Sequence, residues 1–230
     1  MNDHPRVFSH DEARRYYDWL GANLDTQSFY EAPPQRDLAA HLDLKSCRAV
    51  VEFGCGTGRF AAEILDSQLP VDARYLGIDI SSTMVALAKK RLAKYGPRAE
   101  AKQSDGSPHI EAADASFERF ICSYVLELLA DEDMQALLAE AHRVLRPDGL
   151  LGIVVLTSGP TSLSRTVSTI WRGLHSLSPW IVGGCRPIEL TPRLLPSEWI
   201  IEYRRVSAPL GVPSEVVVAR RLSNSQATIQ

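Results

Sequence analysis

Cysteine is scarce in this 230-residue chain. Cys47, Cys55, Cys122 and Cys185 are too far apart to form a C-x-x-C pair. That spacing argues against a zinc site and a disulfide framework, and a reducing cytoplasm is the expected compartment. Long apolar runs are also missing. None approaches the ~20 residues that cross a bilayer, so no membrane span is expected. The opening stretch "MNDHPRVFSHDEARRYYDWLG" has no apolar centre of the kind a signal peptide carries. No dense block of Lys and Arg is present, and the net charge is −3. A nucleic-acid backbone is therefore not expected as the main partner. Repeats and low-complexity segments are absent. The composition that remains, 45% apolar and 23% charged, suits one globular domain with additions.

The first forty-odd residues carry helical patterning in "HDEARRYYDWLGANL". Pro33 and Pro34 are expected to interrupt it, leaving "QRDLAAHLDL" as a second short helix. From residue 49 strands and helices alternate. "AVVEF", "ARYLGIDI", "AEAKQSD" and "SFERFICSYV" read as strands, with helices at "GRFAAEILDSQL" and "SSTMVALAKKRLAKYG". Ser81 or Ser82 is the expected N-cap of the latter. A further helix places Met134, Leu137, Leu138, Ala141, Val144 and Leu145 on one face, with Asp131 or Asp133 as cap. "RPDG" stops it, with Gly149 expected to make the turn before the apolar strand "LLGIVVLT". "EWIIEYRRVSA" and "SEVVVARRL" are joined too tightly for a parallel crossover and predict a hairpin. The pattern predicts a doubly wound α/β sheet ending in that hairpin, with ligands beyond the carboxyl ends of its strands.

"VVEFGCGTGRF" raises the question of function. Gly54, Gly56 and Gly58 follow a strand and precede a helix. A dinucleotide loop wants G-x-G-x-x-G, but Arg59 stands where its third glycine belongs. Glu52 would repel a pyrophosphate and suits a cationic ligand.

"VEFGCGTG" resembles the first motif, E/D-x-G-x-G-x-G, of class I S-adenosylmethionine-dependent methyltransferases. Further stretches agree in order: "YLGIDIS" with the second strand, "SSTM" with the turn after it, "QSDGS" with the end of the third strand. "SFERFICSYVLELLAD" resembles the fourth strand and its loop, and "AHRVLRPDGLLGI" the helix, turn and fifth strand. The small-molecule enzymes related to quinone-ring C-methyltransferases are the most similar subgroup. Two departures are conservative: Phe117–Glu118 replaces F-D, and Pro147–Asp148–Gly149 replaces P-G-G.

The resemblance implies a mostly parallel, seven-stranded Rossmann-like methyltransferase fold. It implies S-adenosyl-L-methionine as cofactor and a small-molecule methyl acceptor. The cofactor contacts it implies are Glu52, Gly54, Cys55, Gly56, Gly58, Asp79, Ile80, Met84, Asp105, Gly106, Ser123 and Tyr17. Asp79 would hold the ribose hydroxyls and Asp105 the adenine amino group. Residues 1–45 would form a helical segment acting as a lid, with Tyr17–Asp18 matching the family's Y-D pair. Residues 46–230 would form the cofactor-binding core, with 157–198 as a substrate-side insertion.

Ordinary structural roles stay open for several of these residues. Asp79 could cap a helix, Met84 belong to the core, Asp105 make a turn, Tyr124 pack, and the N-terminal helix lie on the sheet edge. An apolar or aromatic acceptor is expected from Leu163, Trp171, Leu174, Leu177, Trp180 and Ile181. His109 and His175 are candidate bases that nothing distinguishes, so no catalytic residue is named. The oligomeric state has no signature. Two alternatives remain: a nicotinamide-dependent oxidoreductase, and a non-catalytic methyltransferase-like binding protein.

Overall fold

The computed structural model describes residues 7–159 and 162–222, with the side chains of 162–164 outside the description. Seven strands form one sheet in the order β3-β2-β1-β4-β5-β7-β6. They are β1 (Ala49–Phe53), β2 (Arg74–Asp79), β3 (Ala99–Gln103), β4 (Phe117–Ser123), β5 (Leu145–Leu156), β6 (Trp199–Ser207) and β7 (Ser214–Arg221). β1 to β5 pair in parallel, whereas β7 runs antiparallel between β5 and β6. The doubly wound sheet and terminal hairpin read from the sequence are both present.

The helices are α1 (His10–Leu20), α2 (Ser28–His41), α3 (Arg59–Ser67), α4 (Ser82–Leu92), α5 (Asp131–Val144) and α6 (Ser162–Leu177). Central strands are apolar on both sides because both faces are covered. On β5, Leu150 and Val154 join a cluster with Leu38, Ile64 and Ala88 of α2, α3 and α4. Leu151, Ile153 and Val155 join the opposite cluster with Met134, Leu137 and Ala141 of α5. Among the described residues no helix is long and apolar enough to cross a membrane.

Three local expectations need correction. Pro33 and Pro34 do not split the N-terminal region, because α2 runs through both. Proline's fixed φ is helical, so each ring costs a hydrogen bond without forcing a break. Burial of Tyr30, Pro34, Gln35 and Leu38 holds the turn in place. Ala130, not Asp131 or Asp133, is the N-cap of α5, and the acids fill its first turn. There they face the positive end of the helix dipole. Asp148, not Gly149, takes the left-handed position after α5, with φ 62°.

β1 and β4 are neighbours, and the connections from their carboxyl ends run to opposite faces of the sheet. This is the switch point, where a crevice opens. The loop 54–58 leaves β1 at that crevice. Its last glycine serves packing: Gly58 has φ 73°, and a Cβ there would lie 3.1 Å from the Ala88 Cα of α4. Bare backbone is what lets α3 and α4 touch.

Glu127, in the loop after β4, is the most deeply buried acid among the described residues. It has no exposed surface. Its Oε1 accepts from the Leu156 backbone N at 3.0 Å, while Oε2 has no partner. Burial pushes its carboxyl from the usual 4.5 up to about 8.

Two outcomes follow for stability. Gly58→Ala adds a left-handed penalty and an overpacked contact, and should cost about 2–4 kcal/mol. A lower urea midpoint at constant slope is the readout, and an unchanged midpoint would refute the packing argument. For Glu127, the folded pKa lies above the unfolded one, so the stability it contributes below pH ~4.5 is lost as pH rises towards 8. Glu127→Gln should therefore raise the melting temperature at pH 8 and change it little at pH 5. A variant with no gain at pH 8 would show that the acid carries no such penalty.

Candidate functional site

The site begins where β1 stops. Gly54 turns with φ 79°, and a Cβ there would overlap Val125 Cγ2 at 2.1 Å. The Gly54 and Cys55 N–H groups donate to the Ile78 carbonyl at 2.7 and 3.0 Å, sewing the loop to β2. Asp79 ends β2. Its Oδ2 accepts from Gly56 N and its Oδ1 from Ser81 N, both at 2.9 Å. One carboxylate thus fixes the glycine loop and the entry to α4. The cap of α4 itself is Ser81, whose Oγ accepts from Met84 N at 3.1 Å. Asp79 is therefore not the N-cap.

Glu52 lies one strand away and is 2% exposed. Its Oε2 accepts a short hydrogen bond from the Tyr75 hydroxyl. Burial raises the Glu52 carboxyl to about 7, even with Arg59 nearby, and Asp79 to about 6. Glu52 carries a further upward push from Asp79. Two acids so placed are under-neutralised, and a cation between them would draw both into the ionised form.

The N-terminal segment closes over this crevice. Asp18 Oδ1 accepts from Ser81 Oγ at 2.6 Å and Thr83 N at 3.0 Å. His10 Nε2 meets Asp133 Oδ2 at 3.1 Å, and Arg14 donates to the Asp105 carbonyl at 3.0 Å. α1 is thereby tied to α4, to α5 and to the loop after β3. The turn 21–27 is held by Asp25, which accepts from Thr57 Oγ1 at 2.5 Å and Arg91 at 2.6 Å.

A cavity of about 1230 Å³, its open mouth included, lies beneath. Nine of the expected contacts line it: Tyr17, Glu52, Gly54, Cys55, Gly56, Asp79, Ile80, Gly106 and Ser123. Gly58, Met84 and Asp105 are not in its wall. Gly58 packs α3 on α4, and Met84 is fully buried in the core. Asp105 turns outward and accepts from Ser107 N at 2.8 Å.

Several wall residues had no functional reading in the sequence. Leu24 and Asp25 come from the 21–27 turn; Tyr30, Glu31 and Gln35 come from α2; Arg59 opens α3. Glu31 and Gln35 are four apart and share a helix face, a signal hidden by treating the prolines as a break. Arg59 reaches Gln35, which donates to Ser123 Oγ at 3.1 Å, and lies 3.7 Å from Glu31. Tyr124, which follows the fourth strand where the family contacts cofactor and substrate, with packing as the alternative, lines the cavity with φ 59°.

The expected apolar acceptor wall lies elsewhere. Trp171 donates to the Cys185 carbonyl at 2.9 Å, and Trp180 packs on Phe8 and Tyr16. Leu177 and Ile181 are exposed, and Leu174 does not reach the cavity. The side chain of Leu163 falls outside the described residues. Within 157–198, Cys185 is the one described residue in the cavity wall. His109 is exposed beside Glu140, and His175 is buried away from the cavity.

Residues 50–149 match the family model described as a methyltransferase domain. The chain is 26% identical over 166 residues to trans-aconitate 2-methyltransferase of Variovorax paradoxus, covering 71% of this chain and 58% of that protein. It is 30% identical over 139 residues to demethylmenaquinone methyltransferase of Lactobacillus johnsonii, covering 60% and 54%. The chain thus spans somewhat over half the length of these curated relatives. Among solved structures, it superposes on Burkholderia thailandensis 1,6-didemethyltoxoflavin-N1-methyltransferase, bound to its acceptor and S-adenosylhomocysteine. That superposition has a TM-score of 0.69 at 18% identity, over 96% of this chain and 93% of that one. With a methyltransferase domain matched at 50–149 and set in this strand order, the chain is similar to the class I S-adenosylmethionine-dependent methyltransferases.

Proposed function

We propose that the protein transfers a methyl group from S-adenosylmethionine to a small acceptor by in-line displacement. The observation that carries this reading is the pairing of bare backbone at 54–56 with two under-neutralised acids, Glu52 and Asp79, in one cavity wall. The cofactor supplies, when bound, an electrophilic methyl on a sulfonium.

The chain's own residues bind and orient it. Asp79 accepts one backbone N–H on each oxygen, which leaves lone pairs for the two ribose hydroxyls. Glu52, held by Tyr75, offers a carboxylate towards the ammonium end. Ile80 and Gly106 flank the base, and Tyr17 with α1 keeps water from the mouth. Residues 1–45 act as the lid of a core formed by 46–230. Holding the acceptor in line in a dry site supplies much of the rate. Cavity-wall chemistry assigns the acceptor side to Tyr30, Glu31, Tyr124 and Cys185, and leaves only Cys185 to the 157–198 insertion. Four free cysteines suit a reducing cytoplasm, and the net charge of −3 suits a small molecule better than nucleic acid.

A nicotinamide dinucleotide fits poorly. The N–H groups of residues 54, 55, 56 and 58 are all bonded within the protein, so most of this loop's donors are already engaged and not offered to a pyrophosphate. Glu52 would repel one.

Calorimetry should show S-adenosylhomocysteine binding and no heat with NADH; the opposite pair of results would reverse the assignment. Asp79→Ala should weaken S-adenosylhomocysteine by ~10–100-fold, from losing about one to two charge-assisted bonds. Unchanged affinity in a folded variant would remove Asp79 from the ribose site.

A further inference from the structure

The wall of the cavity carries an imbalance of charge. Its acids are Asp25, Glu31, Glu52, Asp79 and Asp133, against Arg59 and His10. Asp25 is neutralised by Arg91 at 2.6 Å, and Asp133 is paired with His10 at 3.1 Å. Three acids then face one guanidinium. Arg59 is itself shared: it reaches Gln35, lies 3.7 Å from Glu31 and 3.9 Å from Glu63. A singly charged cationic cofactor leaves the pocket with negative charge to spare.

The spare charge sits with Glu31. Glu52 and Asp79 belong to the cofactor half of the cavity, whereas Glu31 is next to Tyr30 on α2, whose ring lies 5.9 Å from that of Tyr124. The Glu31 side chain is 12% exposed. Burial lifts its carboxyl to about 7 although Arg59 pulls it down.

The phenolic hydroxyls around it already have partners, and that of Tyr30 also reaches Glu31. Tyr30 donates to Gln27 Oε1 at 3.0 Å, and Tyr17 to the Gly183 carbonyl at 3.3 Å. The Tyr124 hydroxyl is engaged with Ser214 Oγ at 2.9 Å. An anionic acceptor would therefore meet a carboxylate and phenolic hydroxyls already engaged within the protein. A cation on an aromatic body would meet the aromatic rings that line the cavity and an acid at its charged end.

We propose that the acceptor is a small alkylamine carried on an aromatic ring, bound through Tyr17, Tyr30 and Tyr124, whose nitrogen gives its proton to Glu31. This rests on the methyl-transfer reading of the same cavity. The ammonium N–H passes its proton to the Glu31 carboxylate, freeing the nitrogen lone pair. That pair forms the N–CH3 bond as the S–CH3 bond breaks, and the bonding electrons stay on sulfur. The sulfonium becomes a thioether and the product leaves as an alkylated ammonium. Glu31 returns its proton to solvent as the lid opens.

The test is calorimetry on the whole protein with three probes of one shape: tyramine, 4-ethylphenol and 4-hydroxyphenylacetate. Each is titrated with and without S-adenosylhomocysteine. Tyramine should bind about 10-fold more tightly than the neutral probe, with the carboxylate weakest. Glu31→Gln should erase the preference for tyramine while S-adenosylhomocysteine still binds. A carboxylate or neutral probe that binds as well as tyramine overturns the proposal, as does a preference that survives in Glu31→Gln. Absence of binding by all three overturns it too. If Glu31→Gln does not fold, the ranking on the unaltered protein decides. The two readings fail separately: lost S-adenosylhomocysteine binding strikes the methyl-transfer assignment, and an inverted probe ranking strikes only the acceptor class.

Discussion

The architecture of the site depends on one carboxylate at the end of β2. Asp79 bonds Gly56 N with one oxygen and Ser81 N with the other. Without it the glycine loop and the α4 entry would each lose their anchor at the crevice. Everything lining the floor is placed relative to that bridge: Gly54 and Cys55 against the Ile78 carbonyl, and Ser81 as cap of α4 and ligand of Asp18. Helix α1 is therefore registered on the same residue pair that shapes the glycine-loop side of the cavity. A perturbation at Asp79 propagates to α1 through Ser81, with no contact between Asp79 and α1 required.

The site keeps acids where burial penalises them. A stable protein would replace buried, half-satisfied carboxylates with neutral groups of similar size. Here Glu31 and Glu52 titrate near 7 and Asp79 near 6, each chiefly because of burial. That cost is recovered only when positive charge enters the cavity. A cationic ligand bound there would couple its binding to the relief of that penalty. The same logic separates Glu127, which sits behind the wall, from Glu31, which is in it.

Much of the fold was legible because its signals are local. Strand runs, helix faces and the tight link between β6 and β7 each depend on nearby residues, and they predicted the sheet correctly. Glu52, Gly54 and Asp79 were legible as candidates because strand ends and glycines mark the switch point. What was not legible depended on contacts distant in sequence. Gly58 looks like a ligand glycine, yet its backbone is bare because α4 crosses it at Ala88. The tryptophans of 171 and 180 look like a substrate wall, yet they pack on Cys185 and on Phe8 with Tyr16. Neither partner could be read from spacing.

The wall from α2 shows how a local rule can hide a site. Proline usually ends a helix, and the rule holds when nothing else pays for the lost bonds. In α2 the buried face formed by Tyr30, Pro34, Gln35 and Leu38 supplies that compensation. Continuity of the helix is what brings Glu31 and Gln35 to the same face, and so brings Gln35 to Ser123 and Arg59. The prolines also remove backbone donors from a segment whose side chains must face a cavity. A helix broken at Pro33 would leave Tyr30 and Glu31 on a separate loop, and the cavity wall would lack both this acid and this ring. This part of the cavity wall therefore depends on tertiary burial overriding the strongest helix-breaking signal in the chain.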